Sequence, residues 1–214
     1  MTLHLDCADE LLSTTRAVRK RLDFTRPVPR EVLLDCIRLA QQAPTGGNSQ
    51  GWRWIVVTDA AKRQALAELY RKAAADYFAQ AAAKAEANGQ TQTARVYDSA
   101  QYLADHLHEV PVHVIPCLVG RPPQGDAAVA GGFFAGIYPA VWNFNLALRA
   151  RGLGTTLTTL HLRRERQAAE LLGIPADVTQ AALLPVGYTV GTDFRPAERP
   201  APETITFFDQ WGAS

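Results

Sequence analysis

The sequence predicts an α+β fold, and three observations carry that reading. Helical patterns of apolar residues dominate the 214-residue chain. Two short runs rich in β-branched and aromatic residues, Trp52–Val57 and Val112–Val119, stand among them as strands. The strict strand–helix alternation of a parallel doubly wound sheet is absent.

Length and composition set the bounds. A chain of 214 residues, 47% hydrophobic and 20% charged, can bury a sizeable core and is expected to form a single soluble domain, 1–214. A net charge of +1 creates no global attraction to nucleic acid or anionic lipid, so any bound anion needs a local cationic cluster. Cys7, Cys36 and Cys117 are odd in number and far apart, which excludes a disulfide framework and a CxxC metal site. With no leader-like start at residues 1–6, this fits a cytoplasmic protein.

The elements follow in order. Residues 9–20 read as a first helix. Pro29 opens a second, with Val32, Leu33, Cys36, Ile37 and Ala40 at helical spacing. After the strand Trp52–Val57, Asp59 caps an alanine-rich helix running towards residue 87, and 88–91 is a break. A helix over about 94–108 leads into the apolar strand Val112–Val119, and 121–125 is a Pro/Gly loop. A β-branched strand is expected at 155–161, a helix at 163–172 ended by Gly173, and a central strand at 181–186. The tail from Gly191 has too little periodicity for a core of its own.

Residues 127–148 carry no charge and are long enough to span a bilayer. Gly131, Gly132, Gly136, Pro139, Asn143 and Asn145 interrupt the apolar run, and no second span accompanies it. A central helix buried in protein, packed in part on a second subunit, is the expected outcome, and no membrane partner is expected.

Four segments carry chemistry. On a helix Arg16, Arg19 and Lys20 share a face, where three cations repel unless an anion such as phosphate sits among them. The same run also fits a solvated helix face. It fits nucleic acid less well, because no aromatic residues are interleaved for stacking. Residues 44–52 combine small residues (Thr45, Gly46, Gly47) with the amides and hydroxyl of Asn48, Ser49 and Gln50, which match the alternating donors and acceptors of a flavin edge. They equally suit a plain helix-to-strand turn. The third segment, 151–160, lacks the third glycine of a dinucleotide fingerprint and reads first as a helix cap at Gly152 entering a strand. The last, 193–200, sets arginines between prolines, either as an anion clamp or as a solvated tail. His106 and His108 point to different sides of a helix, so no metal site is expected. No Ser-His-Asp, Cys-His or paired-carboxylate frame is recognisable, so no catalytic side chain is assigned.

These four segments, in this order along nearly the whole chain, resemble the nitroreductase family of FMN-dependent oxidoreductases. The segments 159–162 and 193–196 are similar to an actinobacterial branch of it. The resemblance implies a mostly antiparallel central sheet flanked by helices and a homodimer with FMN at the subunit interface, each tail wrapping the partner. By position, Arg16, Ala17 and Arg199 match phosphate-end contacts. Arg19 matches the basic residue at the flavin N1 and O2 edge. Pro44, Thr45, Gly46 and Asn48, with Gln50 beside them, match the loop that the second subunit lays on the cofactor. Leu157, Thr158, Thr159 and Leu160 match the strand whose backbone approaches N5. The departures are Ala17 in place of a serine, Gly51 in place of a proline, and Ala197 where some members are basic, so that Arg195 supplies that charge. Phe207, Phe208 and Trp211 are candidates to shape the pocket without an assigned place.

The implied activity is an NAD(P)H-dependent, ping-pong reduction of a small-molecule electron acceptor (nitroaromatic, quinone or activated alkene). The flavin would carry the redox chemistry, with Arg19 acting electrostatically. A flavin-binding, flavin-sequestering or flavin-modifying protein without this turnover is the alternative. A basic interaction module on nucleic acid is a weaker third.

Overall fold

In the computed structural model, residues 4–74, 77–123 and 125–212 are described. A five-stranded sheet lies between two helical layers. The strands are β1 (Trp52–Val57), β2 (Val112–Val119), β3 (Leu153–Thr155), β4 (Val178–Gln180) and β5 (Leu184–Tyr188). Their order is β1-β2-β5-β3, with β4 also paired to β2, and every named pair is antiparallel. Seven of the eight residues of β2 are buried, because both its faces are covered. Val112, Val114 and Leu118 join the core on the side of α2 (Arg30–Ala40) and α7 (Tyr138–Arg149). Ile115 and Cys117 join the core beneath α3 (Ala60–Ala74), α4 (Tyr77–Ala87), α5 (Thr91–His106) and α8 (Glu165–Leu172). This is the two-residue alternation of a strand buried on both sides.

Several expected elements form as read. Pro29 precedes α2, which buries Leu33, Cys36 and Ala40. Asp59 caps α3, its carboxylate accepting the Lys62 N–H at 2.9 Å. At Gly89 (φ +68°) the chain turns into α5. Gly173 ends α8 in the left-handed region, where the lack of a Cβ removes the steric penalty.

Others differ, each for a local reason. The first helix, α1, spans Leu5–Thr14 rather than 9–20. The adjacent hydroxyls of Thr14 and Thr15 bond back to the carbonyls of Glu10 and Leu11, both at 2.6 Å, and close the last turn. The chain then runs extended along the free edge of β3: Ala17 bridges Thr155, and the Val18 N–H donates to the Thr155 carbonyl at 2.9 Å. Arg16, Arg19 and Lys20 therefore share no helix face. The alanine-rich helix expected from 59 to 87 is described as α3 and α4, and 75–76 lie outside the described residues. Residue 124 of the expected Pro/Gly loop also lies outside them.

The helix expected through 127–148 is broken at Gly136 and Ile137, between α6 (Ala127–Ala135) and α7, whose first turn holds Pro139. Although Ala127–Arg149 is long and apolar enough to cross a membrane, α7 is committed to the core through Val141, Phe144 and Leu148. By contrast α6 buries none of its residues within one chain. The Trp52 indole N–H donates to the Gly136 carbonyl at 2.6 Å and ties the break to β1.

The strand expected at 155–161 is realised only at its first residue, Thr155, where the pairing of β3 with β5 ends opposite Val186. Thr158 makes a single bridge to Leu183, and Leu160–Arg164 forms a 3-10 turn that leads into α8. The strand expected at 181–186 is shifted to β5 (Leu184–Tyr188), and a second short strand, β4 (Val178–Gln180), precedes it. Pro116 has no N–H to donate, and β2 pairs with β5 on one side of it (112–114) and with β4 on the other (117–119).

Candidate functional site

The free edge of β3 and the extended segment beside it build the site. Gly154 is what lets them meet: a Cβ there would lie 2.8 Å from Thr189 Cγ2 and 2.9 Å from Val18 Cβ. With Val18 buried against β3, Arg16 and Arg19 turn towards a cleft of about 620 Å³. Among the described residues, five arginines line it, Arg16, Arg19, Arg95, Arg149 and Arg199, and no carboxylate does. Five guanidiniums around one cavity are held at the cost of mutual repulsion, which an anion relieves.

The neighbouring cations are neutralised elsewhere. Lys20 pairs with Asp98 at 2.6 Å, and Arg21 pairs with Asp193 at 2.6 Å and stacks on Phe194. Arg16 donates to the Arg195 carbonyl at 2.9 Å, and Arg19 has only a 3.3 Å bond to Ser99 Oγ. Burial lowers the pKa of Arg19, partly countered by nearby Tyr70. A guanidinium nonetheless stays protonated in proteins, so Arg19 puts a partly desolvated positive charge at the cleft.

The cleft also holds unpaired polar atoms. Asn145 Oδ1, Thr155 Oγ1 and Arg149 Nε are buried without a hydrogen-bond partner among the described residues. Each lies on a residue that lines the cavity. Buried polar atoms normally find partners, so two acceptor oxygens and a donor nitrogen here suit a ligand that carries hydroxyls as well as an anionic group. That donor set fits the phosphate and polyol chain of FMN.

Of the residues singled out from sequence, Arg16, Ala17, Arg19, Leu157 and Arg199 line this cleft. Thr158, Thr159 and Leu160 line an adjoining cavity that shares Arg19 and Leu157 with it. Arg195 reaches the site through its carbonyl on Arg16, and its side chain is not part of the lining. Phe207, Phe208 and Trp211 are exposed and line neither cavity.

Pro44, Thr45, Gly46, Asn48 and Gln50 also lie outside the cleft of their own chain. Their loop is held in a strained shape, with Gly47, Asn48 and Gln50 at φ of +58°, +53° and +43° and the Gln50 amide donating to Asn48 Oδ1 at 2.6 Å. Left-handed backbone at non-glycine residues concentrates at functional loops.

Sequence reasoning missed Arg95, Arg149, Asn145 and Thr155. The two residues on α7, Asn145 and Arg149, sit at i and i+4, and that polar pair on one face of a mostly apolar helix was the available signal.

A model of the nitroreductase family matches residues 12–188. No curated protein matches the chain. The chain is similar to the solved structure of an iodotyrosine deiodinase bound to FMN and 3-iodo-L-tyrosine, at 22% identity over 94% of this chain and 98% of that one, with a TM-score of 0.70. It is similar to NfnB from Mycobacterium smegmatis, an FMN-dependent nitroreductase in complex with NADPH, at 21% identity over 96% and 99% of the two chains (TM-score 0.67). A BluB-like flavoprotein from Clostridium difficile 630 is similar at 17% identity over 96% and 99% (TM-score 0.67). At these identities the likeness is one of fold.

Proposed function

We propose that this chain, which belongs to the nitroreductase family, is an FMN-dependent oxidoreductase that uses NAD(P)H to reduce an electron-poor acceptor. The observation that carries the reading is the cleft with five arginines and no carboxylate among the described residues, together with buried polar atoms on its lining residues that lack a partner among the described residues.

Arg16, Ala17 and Arg199 would hold the phosphate end, helped by Arg149, while Asn145 Oδ1 and Thr155 Oγ1 accept hydrogen bonds from the ribityl hydroxyls. Arg19 would supply positive charge to the bound flavin, and the 157–160 segment would line the space for its ring. Pro44, Thr45, Gly46, Asn48 and Gln50 serve the partner's cofactor, which accounts for an exposed, conformationally strained loop outside its own cleft. FMN, once bound, would supply two-electron redox chemistry between NAD(P)H and a nitroaromatic, quinone or activated alkene, in the alternate halves of a ping-pong cycle. The chain binds, orients and supplies charge, and needs no side-chain acid or nucleophile.

A homodimer follows from the same reading. The bare apolar helix α6 and the exposed tail from residue 191 are the surfaces a partner would cover. The cytoplasm is the compartment we infer. The fold is also that of a deiodinase and of a BluB-like flavoprotein, and the second reading is a flavin-binding, flavin-sequestering or flavin-modifying protein without this turnover.

One absorption experiment tests both. Purified protein should be yellow, or take up FMN, and its bands should bleach when NADPH or NADH is added without oxygen. Bands that persist would favour the second reading. A colourless protein that does not take up FMN refutes both.

A further inference from the structure

Beside the arginine cleft lies a cavity of about 290 Å³. The two share Arg19 and Leu157, so a molecule in the smaller one sits next to whatever fills the larger. Its walls have a different chemistry. Tyr70 on α3 and Tyr77 and Phe78 on α4 supply aromatic surface, Thr158 adds a hydroxyl, and Arg163 from the 3-10 turn adds a charge. The Tyr70 and Thr158 hydroxyls are 2.9 Å apart, which fixes the wall against the 157–160 segment. Tyr77 and Phe78 are tilted to each other, with ring centroids 5.5 Å apart.

Arg163 is the informative group. It is exposed and lies 5.4 Å from the Tyr77 ring centroid. Among the described residues it makes no ion pair, and no carboxylate lines the cavity. A planar guanidinium with free donors, beside aromatic faces, is matched to a flat ring that carries a carboxylate. The rings stack on the arene while the guanidinium takes both oxygens. The volume is at the small end for ligand pockets, which favours one ring over a fused system.

We propose that this cavity binds a single-ring aromatic carboxylate and that such an anion is the preferred electron acceptor. The acceptor role rests on the flavin reading above, whereas the binding preference does not.

The test uses 4-nitrobenzoate and its uncharged methyl ester as probes, with calorimetric titration of the purified full-length protein. The wild-type protein should bind the carboxylate about tenfold more tightly than the ester. Arg163→Gln should erase that preference, Arg163→Lys should restore part of it, and Tyr77→Leu should weaken both probes together. In turnover (ArNO2 + NADPH + H+ → ArNO + NADP+ + H2O), the kcat/KM ratio of the two probes should follow the binding ratio.

Equal affinity for the probes, or a preference that survives Arg163→Gln, overturns the proposal. A preference found in a protein that holds no reducible flavin upholds the aromatic-anion site and refutes the acceptor role. Bleaching by NADPH without any preference leaves the flavin reading standing and overturns this proposal.

Discussion

Gly154→Ala places one methyl group in the seam between β3 and the 16–19 segment. The added carbon meets Thr189 Cγ2 at 2.8 Å, Val18 Cβ at 2.9 Å and Val18 Cγ1 at 3.0 Å, where ordinary contact begins near 3.4 Å. Both neighbours are anchored. The Val18 N–H is bonded to the Thr155 carbonyl at 2.9 Å, and the Thr189 N–H to the Gly152 carbonyl at 3.0 Å. Relief therefore requires the segment to lift by about half an ångström, and overpacking of this kind costs about 1–3 kcal/mol. At about 2 kcal/mol the folded-to-unfolded ratio falls roughly thirtyfold. Val18 sits between Arg16 and Arg19, so the same shift moves both guanidiniums, and FMN affinity should fall by about tenfold. Urea unfolding followed by circular dichroism reads the first effect, and quenching of FMN fluorescence reads the second. An alanine variant with the native midpoint and native affinity would show that close approach at Gly154 does not build the site.

Two further predictions follow from the same geometry. Arg199→Ala should weaken FMN binding about tenfold by fluorescence titration, whereas Arg195→Ala should leave it within about twofold, because Arg195 meets Arg16 through its carbonyl. Burial pushes His113 and His161 down to about 4 from an ordinary value near 6.5, so both are neutral in the folded protein. The unfolded chain binds these protons first, so stability is fully present above about pH 6.5 and is lost as the pH falls towards 4. Urea midpoints at pH 7 and pH 5 should therefore differ, and the difference should shrink in His161→Gln. An unchanged difference would remove His161 from this account.

Local chemistry made much of the fold legible. The Trp52–Val57 and Val112–Val119 runs are strands whatever surrounds them, since their β-branched and aromatic content suits a pleated buried surface. Pro29, Asp59 and Gly173 mark helix ends by their own backbone chemistry. Residues 155–161 were misread for the converse reason. Their strand propensity is real, but a strand also needs a neighbour to pair with, and beyond Thr155 the segment has only the single bridge from Thr158 to Leu183 among the described residues.

On its own the sequence determined which residue types were available to hold an anion and where the helix breakers fall. Arg16 and Arg19 were visible as candidate anion ligands in a basic run, and Arg199 through its place in the family resemblance. Only the tertiary structure decided that Arg95 and Arg149 join them, that Lys20 and Arg21 are neutralised by Asp98 and Asp193, and that Arg195 turns its backbone to the site. Those outcomes depend on pairings between residues some 80 to 180 positions apart. Hydrogen bonds need direct contact and salt screens exposed charges beyond about 10 Å, so no local pattern encodes such a pairing until folding brings the partners together.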